Sequence, residues 1–298
     1  MMDKCILCGS KNLIRKPTKM SDFVAVRTHN LPAPDVNLCF CEDCTFAFYD
    51  RRLSEQENSL LYKDYRGEEY QHMREQCECW YTSKVNDALN NDVLALREQQ
   101  RVIKEILVRN GIDELRVALD YGGNEGRTFV HPIGTQNRYV YDISGVSPIE
   151  GVNLISDEKE LRSHTYDFIM CNMLFEHLAD PVEMLEKLKD IGDDKTLYYI
   201  EVPSENPFTT RYKFSAMKNL QLLKNPIFNP FLLFKFWLKS RRGPYMPMKE
   251  HVNFYNIQSM RSFIESNGFS ILDIQENVER AVLGNVTVLS VLFKKNVI

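Results

Sequence analysis

Two cysteine pairs stand near the start of the chain, Cys5-Ile-Leu-Cys8 and Cys41-Glu-Asp-Cys44. Two residues between thiols let both sulfurs of a tight turn reach one ion. Two such pairs supply the four thiolates of a closed, tetrahedral structural zinc site. Thiolate softness favours zinc over magnesium or calcium. Gly9, just after the first pair, permits the backbone twist such a turn needs. Cys39 could replace Cys41 in the set, whereas Cys77, Cys79 and Cys171 read as structural thiols. A redox pair or unmetallated core thiols would not need two such pairs. The first 50 residues balance six basic against six acidic side chains, so the module lacks the basic footprint of a nucleic-acid ribbon. It is expected to help folding and to gate the substrate.

A second constellation lies at Tyr121-Gly122-Gly123-Asn124-Glu125-Gly126, after an apolar run that ends at Asp120. A strand, a glycine turn and a helix start form a cradle for a nucleotide-type cofactor. Asp142 ends the next apolar run about 20 residues on, where a carboxylate can bind ribose hydroxyls. Asp120 would repel a pyrophosphate but suits a cation. S-adenosylmethionine carries an ammonium and a sulfonium, so the charge balance points to it.

The elements that must position these residues alternate. Residues 116–120, 139–142, 152–155, 166–171 and 197–202 read as buried strands, and about 181–190 as a helix with Val182, Leu185 and Leu188 on one face. This predicts a doubly wound, mostly parallel α/β sheet. A helix is expected from Tyr81 to Asn110, stopped by Gly111, and another from Ile257 to Asn267, stopped by Gly268. Residues 270–276 and 286–294 read as a final antiparallel pair. The 298 residues are 44% hydrophobic and 26% charged with net charge −4, which excludes a disordered, collagen-like or coiled-coil chain. No apolar run reaches the ~18 residues of a membrane span. The first residues carry cysteines rather than a signal peptide's apolar core, so the cytoplasm is expected.

Taken together these motifs resemble the class I S-adenosylmethionine-dependent methyltransferases. Tyr166 to Asn172 is similar to that family's fourth strand, and Leu174-Phe-Glu-His177-Leu-Ala-Asp-Pro181 to its "LEH…DP" segment. Ile200-Glu-Val-Pro203 is similar to its fifth strand, Glu250-His-Val-Asn-Phe254 to an "EHxNF" segment, and Asn267-Gly268-Phe269 to the turn before its last strands. With the cysteine pairs, the resemblance is to the bacterial sugar- and glycan-modifying branch that has an N-terminal zinc-binding domain. It implies a Rossmann-like, seven-stranded sheet with an antiparallel final strand plus a small zinc module. It also implies that Asp120, Tyr121, Gly122, Gly123, Asn124, Gly126, Asp142, Ile143 and Asn172 border the cofactor. There are departures. Asn124 stands where the family often has glycine, Thr45 rather than glycine follows Cys44, and Asp157 is only a candidate for the adenine contact. Related sugar C-methyltransferases carry a further C-terminal domain, which points this chain away from C-methylation.

Methyl transfer to a hydroxyl needs the acceptor held in line and its proton removed, and a positioned base contributes roughly 10²–10⁴-fold. His251 is the first candidate base, with Glu250 orienting it or binding the sugar; His177 is the second. Tyr62, Tyr65 and Tyr70 are candidates to line the acceptor site. Residues 208–249 carry Lys and Arg, no Asp or Glu, and interleaved aromatics such as Phe228, Phe234 and Trp237. This insertion is expected to be a lid over the acceptor site, its basic groups meeting a nucleotide-sugar or lipid pyrophosphate, hinged at Gly243-Pro244. An anionic membrane surface ranks second as its contact, which would place the protein at the inner membrane's periphery, and RNA ranks third. The organisation expected is a zinc module with gating segment (1–65), a helical linker (66–110), a cofactor domain (111–207 and 250–298) and the insertion (208–249). The expected function is O-methylation of a nucleotide-linked or lipid-linked sugar. Methylation of RNA or another small molecule, and a non-catalytic cofactor-binding protein, are the alternatives.

Overall fold

A computed structural model of the chain describes residues 2–144, 146–205, 207–208, 227, 229–231 and 246–296. Most of the insertion, with its expected hinge at Gly243-Pro244, lies outside the described residues. Among them no helix is long and apolar enough to cross a membrane.

Seven strands form the central sheet: β4 (Leu115–Tyr121), β5 (Ile133–Tyr141), β6 (Asn153–Ile155), β7 (Phe168–Asn172), β8 (Leu197–Pro203), β10 (Phe269–Glu279) and β11 (Val286–Lys295). Their order is β10-β11-β8-β7-β4-β5-β6. Only β11 runs against its neighbours, as expected. All five residues of β7 are buried, the mark of a central parallel strand covered on both faces. Strand order reverses beside β4, so the carboxyl ends of β4, β5, β7 and β8 open on one crevice at the topological switch point.

Side-chain parity sorts the core into two layers. On one face Leu119, Ile169 and Ile200 pack with Leu185 and Leu188 of α7 (Pro181–Ile191) and Phe263 of α8 (Ile257–Ser266). On the other, Ala118, Met170 and Tyr199 meet Ile103, Ile106 and Leu107 of α5 (Val93–Arg109). Each fully buried side chain of this kind contributes about 1.5–3 kcal/mol. The helix expected over 81–110 is divided: α4 (Ser83–Asn90) ends at Asn91, and the Asp92 carboxylate caps α5 by accepting from Ala95 N at 2.9 Å.

The N-terminal region has its own sheet, β1 (Leu13–Lys19), β2 (Asp35–Cys41), β3 (Ala47–Tyr49) and β9 (Asn253–Phe254), in the order β1-β2-β3-β9. Its last strand comes from the "EHxNF" segment, so this sheet is completed from the far end of the chain. Helices α1 (Asp22–Arg27), α2 (Glu55–Tyr62) and α3 (Glu68–Cys77) pack beside it, and a short α6 (Glu158–Leu161) follows β6.

Candidate active site

Cys5, Cys8, Cys41 and Cys44 bring their sulfurs within 4.8 Å of one another. Cys5–Cys44 and Cys8–Cys41 each stand 3.6 Å apart. Four thiolates about 2.3 Å from a tetrahedral ion would stand about 3.8 Å apart, so the set fits zinc. Cys41, not Cys39, belongs to it: the Cys39 thiol faces the Asn37 carbonyl at 3.9 Å instead. Thr45 takes the left-handed backbone (φ 61°) that a glycine would adopt after the second pair. The Asn256 amide donates to its carbonyl at 2.9 Å, and its hydroxyl donates to Asn256 Oδ1 at 3.1 Å. Asn256 also caps α8, so the cysteine turn is tied to the cofactor domain.

The glycine turn departs from expectation. Residues 124–128 form turns, and β5 begins at Ile133 without an intervening helix. Gly126 (φ 72°) lies in the left-handed region, and too few residues remain before β5 to build a helix. The helix N-terminus expected to cradle the cofactor is therefore not there. What remains is a cradle of backbone and carboxylates. Asn124 adopts φ 52°, a conformation asparagine tolerates, and so fills the glycine position of the resemblance. A Cβ on Gly123 would lie 2.2 Å from the Asp120 carboxyl carbon, so only glycine fits.

Asp120 is fully buried, and burial pushes its carboxyl up to about 7. The Thr128 hydroxyl donates to Oδ2, while Oδ1 has no partner among the described residues. Neither amide atom of Asn172, at the end of β7, has one either. Asp120 Oδ1 and Asn172 Oδ1 are acceptors that fit a cationic ammonium, and the Asn172 Nδ2 donor fits a carboxylate beside it, both of which S-adenosylmethionine has. Asp142 accepts from Asn124 N at 2.9 Å and Ser144 N at 2.8 Å, which fixes the turn to the end of β5. Beside it Ile143 is 76% exposed, an apolar side chain free to meet a base. The Tyr121 ring packs inward on Tyr141 (centroids 5.0 Å), leaving its backbone to border the turn. Asp157 caps α6 through Lys159 N at 2.9 Å.

The acceptor-side candidates gather at one place. The Asp180 carboxylate caps α7 through Val182 N and Glu183 N, with Pro181 opening the helix, and so sets the loop that carries His177. The His177 and His251 rings meet edge to face at 4.8 Å. His177 Nδ1 stands 2.9 Å from Tyr62 Oη and 3.1 Å from the Glu250 carbonyl, and His251 Nδ1 3.2 Å from Glu205 Oε2. Burial and the neighbouring His251 hold His177 down at about 4. Burial also opposes charge on His251, but Glu205, Glu176 and Glu250 outweigh it and push that imidazole up to about 9.

Glu250 does not orient His251 through its carboxylate. Arg74 grips it at 3.1 and 3.0 Å and the Tyr70 hydroxyl donates to it. Burial would raise the Glu250 carboxyl, yet the Arg74 charge and the Tyr70 hydroxyl hold it below the usual carboxylate range. Glu205 takes the orienting place instead. Arg74 and Tyr70 sit four residues apart on one face of α3. Sequence reading missed Arg74, Glu205 and Glu176; only Glu176, adjacent to His177 in the "LEH" segment, carried a local signal. It also missed Arg52, which donates to the Ala179 carbonyl (2.8 Å), the Leu178 carbonyl and Asn253 Oδ1 (2.7 Å), tying the N-terminal sheet to the His177 loop.

A family model described as a methyltransferase domain matches residues 95–274, more than half the chain. No curated protein matches the sequence. Among solved structures, the Burkholderia thailandensis 1,6-didemethyltoxoflavin-N1-methyltransferase with bound S-adenosylhomocysteine is similar at 14% identity and a TM-score of 0.49, covering 85% of this chain and 95% of that one. An Anabaena variabilis S-adenosylmethionine-dependent methyltransferase is similar at 13% identity and a TM-score of 0.43, covering 72% and 92%. The magnesium protoporphyrin IX methyltransferase of Synechocystis, with bound S-adenosylhomocysteine, is similar at 13% identity and a TM-score of 0.41, covering 70% and 86%. The chain belongs to the methyltransferase-domain family and is an S-adenosylmethionine-dependent methyltransferase.

Proposed function

We propose that this methyltransferase acts on a hydroxyl oxygen of a sugar, carried on a nucleotide or lipid, over the paired imidazoles of His177 and His251. The observation that supports this most is the His251–Glu205 contact at 3.2 Å. A carboxylate beside Nδ1 holds the ring in place and stabilises the imidazolium that forms when the other nitrogen takes a proton. Tyr62 and Tyr65, whose rings meet at 5.6 Å beside His177, offer aromatic surface of the kind that stacks on sugar faces.

The cofactor's ammonium would sit against Asp120 and Asn172, its ribose against Asp142 and its base beside Ile143; Gly122, Gly123, Asn124 and Gly126 would shape the turn under it. When bound it supplies an electrophilic methyl group. The chain's own residues do the rest: they hold the acceptor in line, and His251 receives the acceptor's proton with His177 beside it. Leu174 packs against Gly122, with a Cβ there 3.2 Å from the leucine methyls, so the cofactor turn and the His177 loop share a wall. The four cysteines would hold a structural zinc that fixes the N-terminal sheet against this wall. The basic residues of the insertion over 208–249 would supply positive charge for the acceptor's phosphates or for an anionic membrane surface. The reading is tested by transfer of isotopically labelled methyl to a panel of nucleotide sugars and glycolipids. His251→Ala is expected to keep cofactor binding and lose turnover; methylation confined to RNA or to a non-sugar small molecule would overturn the acceptor assignment.

A further inference from the structure

Glu176, His177 and His251 each place one ligand atom within 4.8 Å of the others. Both imidazoles have oxygens at Nδ1: on His177 the Tyr62 hydroxyl at 2.9 Å and the Glu250 carbonyl at 3.1 Å, on His251 the Glu205 Oε2 at 3.2 Å. A carbonyl or a carboxylate can only accept, so each Nδ1 carries its hydrogen, and Nε2 is the ring atom left for a metal ion, which would take the place of any proton there. A carbonyl or carboxylate behind Nδ1 is the outer arrangement that orients metal-bound histidines. Glu176 is 2% exposed, with Oε1 3.7 Å from His177 Nε2 and Oε2 without a partner among the described residues. Its main-chain carbonyl accepts from Val252 N at 2.8 Å and Asn253 N at 3.0 Å, so one pair of hydrogen bonds registers the Glu176-His177 loop against His251. A buried carboxyl with one oxygen beside an imidazole and the other accepting no hydrogen bond is a place that a cation would fill.

We propose that Glu176, His177 and His251 bind a divalent transition-metal ion. Two imidazoles and one carboxylate suit zinc or iron(II) better than magnesium or calcium, and three protein ligands leave positions open for a further ligand. The His251 side chain is 35% exposed, so the site is reachable from the crevice. An acceptor oxygen fits those open positions, which a vicinal diol would fill better than a lone hydroxyl. The ion would fix that oxygen and increase its acidity. This rests on the reading of the crevice as the acceptor site and, where the ion is bound, replaces His251 as base: its Nε2 is then a ligand, and the acceptor's proton would pass from the metal-bound oxygen to solvent. It differs in chemistry from the cysteine cluster, because no thiolate takes part.

The test is a titration of the full-length protein, its cysteine cluster loaded with zinc, with Co²⁺ alone. The expected result is uptake of about one cobalt with visible d–d absorption and no thiolate-to-metal charge-transfer band. Glu176→Gln and His251→Ala are each expected to abolish that uptake while cysteine-bound zinc and S-adenosylmethionine binding persist. If Glu176→Gln misfolds, His251→Ala carries the comparison. No cobalt uptake beyond the cysteine cluster, or uptake unchanged in both variants, overturns the proposal. Cofactor titration of the same samples separates the two readings. Cofactor binding without cobalt uptake removes the metal alone. Cobalt uptake, with sugar methylation unaffected by stripping that ion with a chelator, removes its link to the acceptor.

Discussion

Arg74 holds the Glu250 carboxylate from both ends of its guanidinium, Nη1 3.1 Å from Oε1 and Nη2 3.0 Å from Oε2. This pair joins α3, in a segment of the chain that precedes the cofactor domain, to the segment that carries His251. Both side chains are nearly buried, at 12% and 13% exposure, so removing one strands the other. Arg74→Ala is expected to cost about 3–5 kcal/mol, read as a lower midpoint in urea unfolding. Arg74→Lys should recover only part of that, because a point charge cannot span both oxygens. A midpoint unchanged by Arg74→Ala would show that the pair does not brace the site.

The cysteine assignment separates two neighbours on one strand. Cys41→Ser is expected to lose bound zinc and to destabilise the chain, whereas Cys39→Ser should retain about one zinc per chain by elemental analysis. Equal zinc in both variants would contradict the set Cys5, Cys8, Cys41 and Cys44.

Asp120 gives cofactor binding a pH dependence. Burial pushes its carboxyl up to about 7, and a cationic head prefers the ionised form. The sign follows: affinity for S-adenosylmethionine should rise as pH climbs through about 7 and then level, with proton release on binding below that pH. Asp120→Asn should weaken binding and flatten the profile. Calorimetry in buffers of different ionisation enthalpy reads both effects.

His251 sets the pH dependence of turnover in the chelator-treated enzyme. Its imidazole is pushed up to about 9, so the neutral, proton-accepting form grows as pH rises. The rate should therefore climb toward about pH 9. Glu205→Gln removes a carboxylate that favours the charged ring, so the rising limb should move to lower pH. A limb that stays in place would separate Glu205 from the base.

Much of the sheet was legible because buried parallel strands show as apolar runs, as at Phe168–Asn172. The glycine turn misled, since strand-then-glycines usually announces a helix, and only the left-handed Gly126 and the early start of β5 forbid one here. Cys39 and Cys41 share a face of β2, so spacing alone could not choose between them. The hairpin bonds Thr45 N to Cys41 O (2.8 Å) and Cys41 N to Phe46 O (2.9 Å) place Cys41 beside Cys44. Glu205 and Arg74 left no local trace, because their roles come from contacts 46 and 176 residues away in sequence.

The placement of the cofactor is tested most directly by a crystal structure of the full chain with S-adenosylhomocysteine. The amino group is expected against Asp120 and Asn172, and the sulfur opening toward His177 and His251. A sulfur turned away from that pair, or a ligand seated elsewhere than the carboxyl ends of β4, β5 and β7, would contradict it.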